Sequence, residues 1–439
     1  MAAPSLPVRL SWGRVPHPPP VHVVEPLSRS YSLALLSHLT YVPYGNGRSY
    51  GDLCLNPGAG VIDTRRLDRF IDWNPESGVL RCEGGTLLSE IIRFALPQGW
   101  FPSVTPGTKF VTVGGAIAND VHGKNHHAAG SFGHHLESLE LTRSDGSRTP
   151  TSRTQAPGLY AATLGGLGLT GLIAVATLRL KRVAGPWLEQ TIVRFRSLEE
   201  FFEVDARLRP QHEYTVAWVD CAATGSERGR GLYMAADHSA NHDAARPRGF
   251  GFRVPFDPPV SLVGPHSLRA FNWLYFHRPL PKTRHLVHYE PMFYPLDGVL
   301  EWNRIYGPRG FFQFQCVVPP AASRSALSSL LDQIARHHTG SFLAVLKTFG
   351  ELVPEGLLSF PRPGTTFALD FPDHGERTRR LFSEMEAVVI GHGGAIYPAK
   401  DGLMSATAFK AGFPAWPRMR EHIDPRFSSH FARRVGLVD

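Results

Sequence analysis

Cysteine is scarce. Cys54, Cys82, Cys221 and Cys316 lie far apart in 439 residues and form no CxxC pair. That argues against a disulfide framework and a thiolate zinc site, and it fits a reducing compartment. The first seven residues hold no basic segment followed by an apolar run, so no secretory signal is expected and the expected location is cytoplasmic. Long apolar runs are missing too. The one uncharged stretch of bilayer length, residues 154–178, contains Pro157, Gly158, Gly165, Gly166, Gly168 and Gly171, so no transmembrane helix is expected. Charged residues make up only 19% against 42% hydrophobic, which excludes a disordered tail and promises two or three domains with cores of their own. Glycine (43) and proline (37) are abundant but follow no period, so collagen-like and repeat-array folds are excluded.

What charge there is leans one way. A formal net charge of +8 favours an anionic partner, whether a phosphate, nucleic acid or an acidic membrane surface. The densest basic cluster, Arg228, Arg230, Arg246, Arg248 and Arg253, sits among glycines and prolines and reads as a mobile, solvated loop. Three glycine-rich passages occupy the first 180 residues, at 44–52, 106–120 and 165–171. Between them Leu87, Leu88, Ile91, Ile92 and Ala95 form a helical apolar stripe ended by Pro97 and Gly99, with short strands expected at 60–63, 78–82 and 173–180. A second unit opens near Val183, where residues 197–200 form a capping box. From 312 to 398 the order strand, helix, strand, strand, helix, strand predicts a split β-α-β unit with an antiparallel sheet and one open face. The fold class is α+β. Alternation places Gln313 and Gln315 on one side of their strand and Thr366, Ala368 and Asp370 on one side of theirs, while Lys347 interrupts an apolar strand. Polar groups there suit either a ligand between domains or an edge facing water.

In the first passage Gly45 and Gly47 let backbone N–H groups turn inward as a nest for phosphate oxygens, and Arg48 adds a fixed positive charge. Tyr50 stands where a GxGxxG fingerprint needs its third glycine, which disfavours a nicotinamide-type Rossmann site, and no Walker A loop is present. Three glycine loops in one domain suit an extended ligand with a pyrophosphate. His122, His126, His127, His134 and His135 invite a metal reading, but no glutamate follows His122 in zinc-hydrolase spacing, and Gly123 and Asn125 favour a loop, so no metal is expected.

The string Gly-Arg-Ser-Tyr-Gly-Asp (47–52), Pro-Gly-Thr (106–108), Val-Thr-Val-Gly-Gly-Ala-Ile-Ala (111–118), His-Gly-Lys-Asn-His-His (122–127), Gly-Leu-Thr-Gly (168–171), Glu-Trp-Asn-Arg (301–304), Asp-Phe-Pro (370–372) and Ala-Lys-Asp (399–401) run in order along the chain. In these blocks the sequence resembles the decaprenylphosphoryl-β-D-ribose oxidase family, flavoproteins of the vanillyl-alcohol oxidase type. The resemblance implies a two-subdomain FAD-binding domain at 1–182, a substrate domain at 183–393 whose antiparallel sheet covers the flavin, and a C-terminal return at 394–439. It implies FAD contacts from Gly45, Asn46, Gly47, Arg48, Ser49, Tyr50 and Gly51, and from Pro106, Gly107, Thr108, Val111, Thr112, Gly114, Gly115, Ala118, Asn119, His122, Gly123 and Asn125. Gly168, Gly171, Ile173 and Tyr397 complete that set. Relatives that attach FAD covalently carry a histidine where Arg48 stands, so FAD is expected to be noncovalent. Ala368 replaces a cysteine found close to the flavin in characterised members.

The implied reaction oxidises the 2'-hydroxyl of a polyprenylphosphoryl ribose to a ketone, the first half of an epimerisation to the arabinose form. Lys400, His122 and Tyr50 are the expected catalytic residues. Lys124, Phe293, Gln313, Gln315, Lys347, Thr366, Ala368 and Lys400 are the expected substrate contacts. The resemblance further implies an NAD-dependent short-chain reductase partner and, through a lipid substrate, peripheral contact with the inner face of a membrane. Nucleic acid is not an expected partner. An oxidase of another sugar, alditol or aldonolactone on the same fold is the alternative, and a non-catalytic basic binding module is a second.

Overall fold

The computed structural model describes residues 9–17, 21–35, 39–240, 251–281 and 283–439. Arg246 and Arg248 of the basic cluster lie outside the described residues. Strands β1 (His22–Val24), β2 (Tyr41–Tyr44) and β3 (Gly60–Asp63) pair in parallel in the order β1-β3-β2. A second, antiparallel sheet follows from β4 (Phe70–Asn74), β5 (Val79–Glu83), β6 (Leu136–Thr142), β7 (Arg148–Ser152) and β8 (Leu172–Arg179), ordered β4-β5-β8-β6-β7. Helix α1 (Leu88–Ala95) buries Leu88, Ile91, Ile92 and Ala95 of the expected stripe, while Leu87 is its half-buried N-cap, and Gly99 turns the chain out in the left-handed region at φ 80°. Helix α2 (Val113–Ala118) shares a core with α1 and with Leu80, Leu139 and Leu178 of the sheet. The uncharged stretch resolves into a helix at Pro157–Thr163 and strand β8. Among the described residues no helix is long and apolar enough to cross a membrane.

An eight-stranded sheet occupies the rest. Its strands are β9 (Trp187–Phe195), β10 (Tyr214–Val219), β11 (Gly231–His238), β12 (His285–His288), β13 (Phe311–Val318), β14 (Val345–Phe349), β15 (Gly364–Pro372) and β16 (Ala395–Ile396). They lie in the order β12-β9-β11-β10-β14-β15-β13-β16, and every neighbouring pair is antiparallel. The sheet is two copies of one split β-α-β unit. In each, the fourth strand lies beside the first, and the first beside the third. The copies are fused edge to edge where Ala217 and Trp218 of β10 face Leu346 and Val345 of β14. Helices α3 (Leu198–Leu208) and α4 (Pro265–His277) belong to the first copy, α5 (Ser323–Arg336) and α6 (Glu376–Gly391) to the second.

The sequence pattern exposes the second copy and hides the first, because residues 239–264 separate β11 from α4. Ser197 caps α3 by accepting from the Glu200 N–H at 3.2 Å, as the capping box requires. Phe201 and Val204 of α3, Leu327, Leu330 and Leu331 of α5, and Leu381 and Met385 of α6 pack into one core with Phe314 and Cys316 of β13. That core claims alternate β13 residues and leaves Gln313 and Gln315 on the opposite face.

Two expectations change here. Arg228 pairs with Asp332 and donates to Ser328 Oγ at 2.8 Å, and Arg230 is buried against Asp220 at 3.0 Å. Neither is a free solvated charge, because Arg228 meets Asp332 on α5 and Arg230 meets the buried Asp220 just past β10, whereas Arg253 of the same cluster is exposed. Strand β16, which falls in the C-terminal return, closes the edge of the eight-stranded sheet beside β13. The chain beyond it returns to the amino-terminal sheets. Arg434 bridges Asp52 and Asp401, and Tyr41 exchanges backbone hydrogen bonds with Arg426 and Ser428.

Candidate active site

The open face of the eight-stranded sheet and the glycine loops enclose one large cavity, with an empty volume of about 1940 Å³ counted to its open mouth. Its wall runs from the glycine passage at 45–50 to Lys400 and the open face of the sheet, a span that suits an extended ligand together with a second one.

Close approach explains the glycines. A Cβ on Gly45 would meet Thr112 Oγ1 at 2.4 Å, and one on Gly47, at φ +59°, would meet the Tyr44 hydroxyl at 2.2 Å. Thr112 in turn accepts from the Gly115 N–H and starts α2, while Asn46 Nδ2 donates to Phe110 O at 2.8 Å. The first two passages are thereby locked together. Among the described residues the N–H groups of Asn46, Gly47, Arg48 and Ser49 find no acceptor in the chain. Backbone donors left over beside a cavity are costly unless a ligand satisfies them, and a row of them fits phosphate oxygens. Arg48 joins that row with its guanidinium 4.0 Å from the Trp12 ring centroid and a buried Nε that has no partner. Burial pushes the Arg48 pKa down and the nearby Asp297 carboxylate opposes that. These groups fit the pyrophosphate and ribose of FAD.

At the sheet end the polar groups are arranged in pairs. Lys400 Nζ stands 3.9 Å from the Tyr50 ring centroid. Burial drives its pKa down, and Asp370 holds it up. The same burial pushes the Asp370 carboxyl up, which Gln313 and Lys400 counter. Gln313 Nε2 donates to Asp370 Oδ1, the Asp370 N–H donates to Ser341 Oγ at 3.0 Å, and Asp370 Oδ2 is buried without a partner. Gln315 Nε2 donates to Thr366 Oγ1 at 3.1 Å and to His122 Nε2 at 3.0 Å. That contact makes Nε2 the acceptor and puts the ring proton on His122 Nδ1, which has no partner in the chain. Burial, then Lys347, His126 and Lys400, push His122 well down, so the ring is neutral. Tyr397 donates to Asn119 O at 3.0 Å and stacks on Phe360.

Two further lysines are half-buried in the wall with no carboxylate at ion-pair distance among the described residues. Lys124 Nζ donates to Phe293 O at 3.0 Å, and burial pushes its pKa to about 8 against the nearby Asp297 carboxylate, which holds it up. Lys347 Nζ reaches Gly123 O at 3.4 Å and is pushed to about 7, by burial first and then by Lys124 and Lys400. An ammonium so placed calls for an anion or gives up its proton.

The cavity wall carries most of the expected contacts from all three passages, together with His122, Lys124, Gln313, Gln315, Lys347, Thr366, Ala368, Tyr397 and Lys400. Three expected contacts stand away from the wall. Gly51 is packed against the C-terminal return, where a Cβ would lie 1.9 Å from Asp401 O. Asn125 is buried behind the wall and donates to Ser103 O at 2.9 Å. The Phe293 ring turns into a core with Phe101 and Tyr214, so only its carbonyl serves the site, through Lys124. Of the remaining histidines, His126 Nδ1 accepts from Gly350 N–H and His127 Nε2 donates to His212 O. Sequence reasoning missed Trp12 and Asp297, which line the cavity from loops with no periodic signal, and Trp302, which lines it from a single 3-10 turn at Trp302–Tyr306. It also passed over Asp370, although strand alternation put that residue on the face with Thr366.

Residues 22–152 match the family described as FAD binding domain. The chain is 34% identical over 411 residues to decaprenylphosphoryl-beta-D-ribose oxidase of Mycolicibacterium smegmatis, covering 90% of this chain and 88% of the relative. It is 27% identical over 184 residues to cytokinin dehydrogenase 6 of Oryza sativa, 39% of this chain and 35% of the relative, and 30% identical over 102 residues to D-2-hydroxyglutarate dehydrogenase of Escherichia coli, 23% of this chain and 10% of the relative. The shared region in these shorter matches is a fraction of each protein, whereas the first spans both the glycine loops and the sheet that faces them. FAD is the cofactor, the fold is α+β, and the chain is an FAD-dependent oxidoreductase that belongs to the decaprenylphosphoryl-β-D-ribose oxidase family.

Proposed function

We propose that the chain oxidises the 2'-hydroxyl of a polyprenylphosphoryl-β-D-ribose to the 2'-ketone, the first half of an epimerisation to the arabinose form that an NAD-dependent short-chain reductase completes. One observation carries the choice of substrate: Lys124 and Lys347 both line the cavity and neither is ion-paired among the described residues, with Asp297 alone supporting Lys124 and no carboxylate supporting Lys347. A phosphoryl-linked sugar brings the missing negative charge, and a free polyol does not.

The residues divide the work as follows. The N–H row at 46–49, Arg48, and the loops at 106–119 and 168–173 hold the cofactor, noncovalently because arginine at 48 offers no nucleophile for a flavin bond. FAD, when bound, supplies the hydride acceptor. Gln313, held by Asp370, and Gln315, held by Thr366 and His122, present fixed amides to the sugar. Lys124 and Lys347 seat the phosphoryl group. Lys400, kept charged by Asp370, orients the reacting hydroxyl and stabilises negative charge as it develops. Neutral His122 keeps its Nδ1–H as a donor. Peripheral contact with a membrane belongs to this reading, because a polyprenyl chain resides in a bilayer.

A side-by-side assay tests it. Prenylphosphoryl ribose is expected to be turned over at a kcat/KM at least roughly a hundredfold above that of free ribose or alditols, the value of one charge-assisted contact. Its KM is expected to rise with pH from about 7 upward, as Lys347 and then Lys124 lose their protons, while the KM of a neutral sugar stays flat. Equal use of neutral sugars would overturn the assignment. In the same preparation, acid precipitation is expected to leave FAD in the supernatant, and yellow colour retained in the pellet would contradict noncovalent binding.

A further inference from the structure

The apolar residues on the surface are unevenly spread. Phe252, Phe256, Val260, Leu262, Trp273 and Leu274 are each more than half exposed, and all fall within 23 positions of the chain. Elsewhere among the described residues, exposed large apolar residues occur singly or as the pair Leu352 and Val353. Scattered exposure needs no explanation, but a concentration of aromatic and aliphatic side chains marks an interaction surface.

This surface is the outer side of the structure that roofs the cavity. Phe252 pairs with Val299, the Leu262 N–H donates to Ile305 O at 2.8 Å, and Val260 lies against Gly307. Leu268 of α4 packs in one cluster with Tyr50 and Trp302, both of which line the cavity, and Phe276 anchors the helix to Trp218. With Leu268, Asn272 and Phe276 turned inward, α4 presents Phe271, Trp273 and Leu274 to the outside.

The charge around the patch leans positive. No aspartate or glutamate occurs between Asp257 and Glu290, and Arg253 and Arg269 are exposed in the patch itself, while Arg284 is paired with Glu189 at 3.3 Å. Asp257 itself is neutralised by Arg14 and Arg304. Tryptophan, phenylalanine and leucine ringed by arginine match the boundary of an anionic bilayer, where rings enter the headgroup region and guanidiniums meet phosphates.

We propose that residues 252–274 form a membrane-docking surface that seats the protein on an anionic bilayer with its cavity roof against the lipid. The inference rests on the lipid-linked substrate proposed above and says where such a substrate would leave the membrane.

The flavin-loaded full chain is sedimented with vesicles of phosphatidylglycerol and phosphatidylcholine in equal parts, and with phosphatidylcholine alone. Binding to the anionic vesicles is expected, and the double variant Trp273→Glu, Leu274→Glu is expected to lower the partition roughly tenfold or more. Leu352→Glu with Val353→Glu is expected to leave it unchanged. Flavin absorbance and unfolding temperature report that each variant is folded. Equal partition of both double variants, or binding that ignores the anionic lipid, would overturn the surface. So would a solution dimer that the Trp273 and Leu274 substitutions dissociate, since a second copy would then cover the patch. Turnover of a water-soluble short-chain prenylphosphoryl ribose without vesicles separates the two readings: its absence in the parent chain refutes the substrate, and loss of vesicle specificity alone refutes the surface.

Discussion

Replacing Lys400 with methionine is expected to lower kcat by roughly 10²–10³, the cost of removing one preorganised group that stabilises developing charge. Methionine keeps most of the length and apolar bulk over the Tyr50 ring, which Lys400 Nζ approaches to 3.9 Å, so FAD content and folding should be retained. The substitution also strips Asp370 of its counter-charge. Burial already pushes that carboxyl up, and without the lysine it takes a proton at neutral pH. Asp370→Asn supplies the converse. Asp370 holds the Lys400 pKa up against burial, so removing it lets that pKa fall. A step that needs the ammonium then loses activity at lower pH, and the alkaline limb of the kcat profile is expected to move toward acid in Asp370→Asn while the plateau below it survives. An unchanged limb in Asp370→Asn, or a Lys400→Met enzyme within about tenfold of the parent, would remove Lys400 from its proposed role. Flavin absorbance and stopped-flow reduction under anaerobic conditions separate the chemical step from product release.

How much of this site is legible in the chain depends on which physical constraint each residue obeys. Gly45, Gly47 and the second glycine passage are visible because close backbone approach leaves no alternative to glycine, and the structure shows the clashes a Cβ would make. Lys347 is visible as a charge inside an apolar strand, and Gln313 and Gln315 as polar residues one step apart on a period of two. Asp370 is harder to read. Alternation gives its face, but its meaning depends on Lys400, 30 positions away on a loop that only the fold brings near. Phe293 misleads for a related reason: an aromatic residue near a site can supply a ring or merely a carbonyl, and only packing against Phe101 and Tyr214 decides. The duplicated sheet illustrates the same limit at larger scale. The second copy is compact in sequence, whereas the first is interrupted between β11 and α4, so local periodicity cannot join its strands. Arg228 and Arg230 resemble a solvated cluster until Asp332 and Asp220 appear opposite them.

Lys347→Met is expected to stabilise the flavin-free protein while weakening the substrate. The folded-state pKa of Lys347 is pushed to about 7, against an ordinary 10.5. Between those values the unfolded chain binds the extra proton, so the parent gains stability as pH rises from about 7, and below about 7 it carries the cost of a half-buried ammonium without an ion-pair partner. Methionine removes that cost. The expected gain is on the order of 2–4 kcal/mol near neutral pH, shrinking toward zero as pH approaches the ordinary lysine value. Denaturant unfolding at about pH 6.5 and about pH 9 measures both the gain and its slope. The same variant is expected to raise KM for the phosphoryl-linked sugar by roughly tenfold to a hundredfold, with kcat much less affected, since a charge-assisted contact made equally in ground and transition states is lost. A stabilised protein with weaker binding is the pattern of a site that carries uncompensated charge in order to receive an anion. A destabilised variant with unchanged KM would mean instead that Lys347 serves the fold through Gly123 and the Phe349 ring, which its Nζ approaches to 5.8 Å.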